Sequence, residues 1–196
     1  MTPRIVRNVA GVCVALAVCA SANILSSRSH AHDDGVPDAA GAPDETVTAP
    51  ELPAGLPWLQ GGPLRFRDLR GRVVVVHFWT NGCINCIRNY PVYRSWQEQY
   101  DAKKLTIVGI HTPEFAAEGA TERVKKAARD NALRFPIVLD PDAKAWKAWD
   151  NHYWPAIYLV DKKGHVRARW EGELHLDTAE GKRFAARIDE LLKEEP

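Results

Sequence analysis

Two cysteines three residues apart, Cys83 and Cys86, lie in the stretch HFWTNGCINCIRNYP at residues 77–91. The β-branched run Val73–Val76 before it has the composition of a strand covered on both faces. Asn81-Gly82 breaks that strand, and the residues after it have helical composition. Cys83 therefore falls at the mouth of a helix and Cys86 one turn further in. Unpaired backbone N–H groups and the positive end of the helix dipole stabilise a thiolate in that position. Such a cysteine is acidic and nucleophilic at neutral pH, and can open another disulfide. The second cysteine is close enough to resolve the mixed disulfide that forms.

Three other readings of the pair compete. A C-x-x-C can be half of a zinc site, but four ligands are needed and the chain has no second C-x-x-C and no H-x-x-x-H. Haem attachment needs a histidine directly after the second cysteine, where Ile87 stands. A structural disulfide here would close a minimal loop, the case in which a cross-link restricts the unfolded chain least.

The elements that must hold this turn are legible along the chain. Leu64-Arg65-Phe66 alternates like a short edge strand after a Gly-Gly-Pro turn. Residues 84–100 read as a helix that Pro91 is expected to kink, with Ile87, Tyr90, Tyr93 or Arg94, and Trp96 or Gln97 at roughly helical spacing. Leu105–Ile110 is a second buried strand, and 122–132 is a helix with Thr121 as its N-cap. Ile137–Leu139 is a short strand, followed by a helical stretch to Trp149 capped by Asp142. Ala156–Val160 and Val166–Trp170 form a hairpin around Asp161–Gly164, and 178–193 is a closing helix with Phe184, Ile188, Leu191 and Leu192 on one face. This order predicts an α/β fold, a mixed central sheet with helices on both faces.

The flanking sequence bears on compartment. Residues 1–31 read as a signal peptide or an N-terminal membrane anchor: Arg4 and Arg7 precede the apolar run 9–20, and Ala20-Ser21-Ala22 or Ser29-His30-Ala31 matches a cleavage site. Cys13 and Cys19 lie in that segment, so the exported part holds only Cys83 and Cys86 and no structural disulfide framework. Residues 32–57, rich in Pro, Asp and Ala without apolar periodicity, read as a disordered or extended linker, with the folded domain at 58–196. A formal net charge of +1 and the lack of a basic patch interleaved with aromatics argue against nucleic-acid binding.

The Cys83-Ile84-Asn85-Cys86 motif on its strand-to-helix turn, Pro91 five residues beyond it, and Trp154-Pro155 before a late strand resemble the thioredoxin-like superfamily. FWTNGCINC, GIHTPEF and YWPAIYLVD resemble in particular TlpA/ResA-like exported oxidoreductases and the thioredoxin domain at the C-terminus of DipZ-type proteins. The likeness covers roughly residues 58–175, and the segment between Ile110 and Ala132 corresponds to the extra helix of exported members. The resemblance implies a thioredoxin-like fold, Cys83 as nucleophile, Cys86 as resolving cysteine and Pro155 as a cis-proline. Trp79 and Trp154 are expected beside the redox site as substrate-binding residues.

Two positions depart from the thioredoxin pattern. Where a buried acid often serves the resolving cysteine, this chain has His77, a candidate proton acceptor or a neutral core residue. Where thioredoxin has the lysine that partners that acid, it has Gly109. Ile84-Asn85 between the cysteines tunes a reduction potential that spans roughly 150 mV across dithiol proteins of this scaffold. His111 and Glu114 after the second strand read as part of a solvated loop.

The expected function is an exported thiol–disulfide oxidoreductase, working as a reductant, without cofactor or metal. Its partners would be client proteins with oxidised cysteines, in apocytochrome c or copper-site assembly among others, and a membrane thiol-electron carrier. Thr80, three residues before Cys83, keeps a thiol peroxidase as an alternative. A copper-binding chaperone using both cysteines with His77 or His111 is another.

Overall fold

The computed structural model describes residues 47–196, so the expected signal peptide or anchor at 1–31 and the start of the linker lie outside the described residues. Six strands form one sheet: β1 (Trp58–Gln60), β2 (Val73–Trp79), β3 (Leu105–His111), β4 (Ile137–Leu139), β5 (Ala156–Val160) and β6 (Val166–Glu171). Their order is β1-β4-β3-β2-β5-β6. The trio β4, β3 and β2 is parallel, whereas β1, β5 and β6 pair antiparallel with their neighbours. The helices are α1 (Ile84–Gln99), α2 (Thr121–Asp130), α3 (Lys144–Ala148) and α4 (Ala179–Lys193).

Strand alternation divides the core in two. Val73, Val75 and Trp79 of β2 face a layer supplied by α1, α2 and α4, including Tyr90, Tyr93, Trp96, Val124, Phe184 and Ile188. Val74, Val76 and Phe78 face the other layer, where α3 contributes Ala145 and the following Trp149, and a 3₁₀ turn at Phe66–Leu69 contributes both its ends. Helices therefore cover both faces, which is why β2 is buried at every position.

The sheet register gathers the site at one end. Trp79 at the end of β2 pairs with His111 at the end of β3, and Ala156 at the start of β5 pairs with Phe78. The chain leaving β2, the chain leaving β3 and the chain entering β5 thus meet at a single edge.

Several expectations need correcting. Residues 47–57 are not a loose linker: Val166 N donates to Val47 O at 2.8 Å, Ala49 N to Gly164 O at 2.9 Å, and Leu139 N to Pro57 O at 2.8 Å. Ala49 is buried, and Leu52 and Leu56 pack on the second core. This strap satisfies its backbone groups by pairing with other segments rather than within itself, which proline permits. The edge strand is Trp58–Gln60, not 64–66: a 3₁₀ turn starts at Phe66, where the Glu51 carboxylate accepts from Phe66 N (2.9 Å) and Arg67 N (2.8 Å). On α1, which carries Pro91 without interruption, the buried positions are Cys86, Asn89, Tyr90, Val92, Tyr93 and Trp96, and Ile87 is exposed. Ala120, not Thr121, occupies the cap of α2. Ahead of α3 it is Asp140, not Asp142, that accepts from Ala145 N (3.0 Å) and Trp146 N (2.9 Å).

Candidate active site

Cys83 is the N-cap of α1, in extended conformation, and its Sγ accepts from Cys86 N at 3.2 Å. A sulfur thus takes the place that a serine or aspartate oxygen usually has at a helix start. Cys83 is partly exposed while Cys86 is 1% exposed, and both are free thiols. A hydrogen bond from the Cys86 side chain, opposed by partial burial and assisted by backbone N–H groups of Cys86 and Asn85, brings the Cys83 pKa down to about 7. Glu114 nearby acts in the opposite direction. Burial, with the bond to Cys83 adding to it, pushes the Cys86 thiol far above the ordinary cysteine value. One sulfur is primed to attack and the other is held protonated beneath it.

The neighbouring elements arrive as the register requires. The Trp154–Pro155 peptide is cis, Pro155 is buried, and Ala156 follows at once in β5. Trp154 is partly buried, packs against Trp146 in a tilted pair with ring centroids 4.0 Å apart, and donates from Nε1 to Thr112 O at 3.0 Å. Trp79 corrects its expectation as a substrate contact. It is 0% exposed, because the alternation of β2 turns it into the core, where the Tyr90 and His111 rings meet it edge-on. It lies in the same core cluster as Cys86 and supports the pair from inside.

His77 is also 0% exposed, its ring stacked on Tyr93 at 4.1 Å with Phe135 edge-on at 5.1 Å. Neither ring nitrogen has a hydrogen-bond partner among the described residues. Burial pushes its pKa down to about 3, so the imidazole is neutral at working pH. Gly109 opposite it on β3 makes this possible. A Cβ at Gly109 would stand 2.9 Å from His77 Nε2, 3.0 Å from Phe135 Cε2 and 3.1 Å from Trp79 Nε1. A Gly109→Ala variant is therefore expected to lose roughly 1–3 kcal/mol of stability through overpacking, read as a lower midpoint in urea unfolding.

His111 is not in a solvated loop. It is 1% exposed, its Nε2 lies 3.1 Å from Asn81 Oδ1, and burial holds its pKa down to about 4 against the opposing charge of Glu118. Glu114 is exposed, as expected for a loop. Sequence reasoning missed Glu118, on a 3₁₀ turn at Ala116–Gly119, whose Oε2 accepts from Thr80 Oγ1 at 2.6 Å. No local pattern marks it, because its partner is 38 residues away. Among the described residues no group of three or more His, Cys, Asp or Glu is arranged to hold a metal.

Known proteins share this architecture. The model of the AhpC/TSA family matches residues 42–169. The DipZ protein of Mycobacterium bovis is 38% identical over 133 residues, which cover 66% of this chain and 19% of DipZ. The thiol-disulfide oxidoreductase YkuV of Bacillus subtilis is 29% identical over 118 residues, covering 60% of this chain and 79% of YkuV. The chain thus spans about a fifth of the length of DipZ but aligns with most of YkuV. A crystal structure of a thioredoxin-like superfamily protein superposes with a TM-score of 0.67 at 25% identity, covering 76% of this chain and 99% of that one. With the fold and the family match in agreement, the chain belongs to the AhpC/TSA family and has the thioredoxin-like fold.

Proposed function

We propose that this chain is an exported reductant of protein disulfides, working through a Cys83–Cys86 dithiol/disulfide cycle. The observation that carries this reading is the split between the two sulfurs: Cys83, partly exposed at the helix start with its pKa near 7, above Cys86, buried and protonated. A nucleophile of that acidity lies close to the thioredoxin value of about 7, and far from the value of about 3.5 found in a strong oxidant. Export rests on the character of residues 1–31. Among the described residues no helix is long and apolar enough to cross a membrane.

The cycle balances as follows. The Cys83 thiolate attacks one sulfur of a client disulfide, forming a Cys83–client bond and releasing the other client sulfur as a thiolate, which takes a proton from water. Cys86 then attacks Cys83 Sγ, its proton passing to the departing second client sulfur, which leaves as a thiol, and a Cys83–Cys86 disulfide remains. Two electrons pass to the client, and a membrane thiol carrier returns them. Ile84, Phe115 and Tyr153 are exposed on the three segments that meet at this edge and offer an apolar surface to the client, beside the Trp154–Pro155 backbone. His77, sealed and neutral, acts in this scheme as a core residue and not as the proton acceptor.

Two observations weigh against the alternatives. The Thr80 hydroxyl that a thiol peroxidase would need is committed to Glu118. His111 is engaged with Asn81, and His77 is enclosed by aromatic rings, so neither is free to join the sulfurs around copper. The test is alkylation of the reduced protein across pH, with insulin reduction and hydrogen peroxide consumption measured alongside. One fast-reacting thiol with a midpoint near pH 7 is expected from Cys83, while Cys86 stays unreactive. Insulin reduction should be robust and peroxide consumption negligible. Two thiols with the midpoint of free cysteine, about 8.5, would sink the proposal.

A further inference from the structure

Glu118 lies in the segment inserted between β3 and α2, yet its carboxylate lies across the redox turn that follows β2. Its Oε2 accepts from Thr80 Oγ1 at 2.6 Å and from Glu114 N at 2.9 Å, with Phe115 N at 3.5 Å. Its Oε1 lies so close over Gly82 that a Cβ there would be 1.9 Å from it. Thr80 is fully buried and touches both cysteines through its backbone. Its carbonyl accepts from Cys83 N at 3.4 Å, and its main chain hydrogen-bonds the Cys86 thiol. The next residue, Asn81, is met by His111, whose Nε2 lies 3.1 Å from its Oδ1. The turn is thus tied to Thr80 by backbone hydrogen bonds, and Thr80 to Glu118 by its hydroxyl.

We propose that Glu118 is a positioning residue for the redox pair: its carboxylate fixes Thr80, and through the Thr80 backbone it sets the placement of Cys83 relative to Cys86. The distance at stake is the 3.2 Å from Cys86 N to Cys83 Sγ, one of the contacts that hold the nucleophile ionised. Gly82 belongs to the same device. It has no side chain because the carboxylate needs the space above it.

This assignment deepens the proposed disulfide exchange but is tested without a client, by following alkylation of the reduced protein against pH. Failure of insulin reduction in the parent chain would refute the exchange reading and leave this measurement intact. Glu118→Ala should raise the Cys83 midpoint toward that of free cysteine, slowing alkylation at pH 7 roughly fivefold for a rise of about one unit. Glu118→Gln keeps an oxygen for Thr80 and the Glu114 amide, and should restore the parent profile. Gly82→Ala displaces the carboxylate from the other side and should reproduce the Glu118→Ala profile. In the double variant the two changes should not add, since each breaks the same contact.

A general loss of stability would lower the melting temperature without moving the midpoint. The proposal is overturned by an unmoved midpoint in Glu118→Ala, or by full additivity of the two changes. It is overturned equally by a midpoint in Glu118→Gln that moves downward, which would mean that the charge acts directly on the sulfur.

Discussion

Cys86→Ser accumulates mixed disulfides between Cys83 and client proteins, while Cys83→Ser captures none and loses disulfide reduction by on the order of 10³-fold or more. The expectation follows from the asymmetry of the pair. Only Cys83 combines exposure with a pKa near 7, so only it can begin the exchange. Cys86, 1% exposed, cannot meet a client sulfur directly and serves to break the bond that Cys83 has made. A serine there leaves the first step intact and removes the second. Non-reducing gels of the two variants, mixed with an oxidised substrate, check this. Capture by Cys83→Ser in place of Cys86→Ser would reverse the two roles.

His77 carries the second large effect, on stability. Its folded-state pKa of about 3 lies below the ordinary 6.5, because burial disfavours the charged ring. Below pH 6.5 the unfolded chain takes up a proton at this site and the folded chain does not. Stability is therefore complete above pH 6.5 and declines as pH falls toward 3. At about 1.4 kcal/mol per pH unit, lowering the pH from 6.5 to 4 costs roughly 3 kcal/mol at this residue alone. His77→Leu should remove that part of the acid slope, leaving the part due to His111, whose pKa is also held down by burial. At pH 7 the variant should be about as stable as the parent, since the substitution removes two buried nitrogens that have no partner among the described residues. Urea unfolding at pH 7 and pH 4.5 measures the difference. An unchanged acid slope would refute the argument, and loss of disulfide reduction at pH 7 would restore His77 as the proton acceptor.

The legible parts of this protein are those with local causes. The Val73–Val76 run, the Asn81-Gly82 break and the spacing of the cysteines were enough to place β2, the turn and the N-cap of α1. The hairpin and the apolar face of α4 follow from periodicity in the same way. What the sequence concealed depends on distant partners. The segment 64–66 is not a strand but leads into a 3₁₀ turn at Phe66–Leu69, whose first two amides donate to Glu51. Trp79, expected as a substrate contact beside the redox site, is covered by Tyr90 of α1 and His111 of β3. Residues 47–57 have the composition of a loose tail, and only their pairing with the β5–β6 hairpin and with β4 gives them a fixed course.

That strap shields a vulnerable margin. β6 is the outermost strand on its side, it carries the charged side chains Arg167, Arg169 and Glu171, and Val47–Ala49 pairs along the start of its outer rim. A chain cut at Trp58 would leave the carbonyl of Gly164 and the amide of Val166 open, and uncover apolar side chains on the adjoining layer. Such a rim is a template for another copy of the same strand, so a molecule lacking these residues, whose composition is that of a linker, is expected to self-associate more readily.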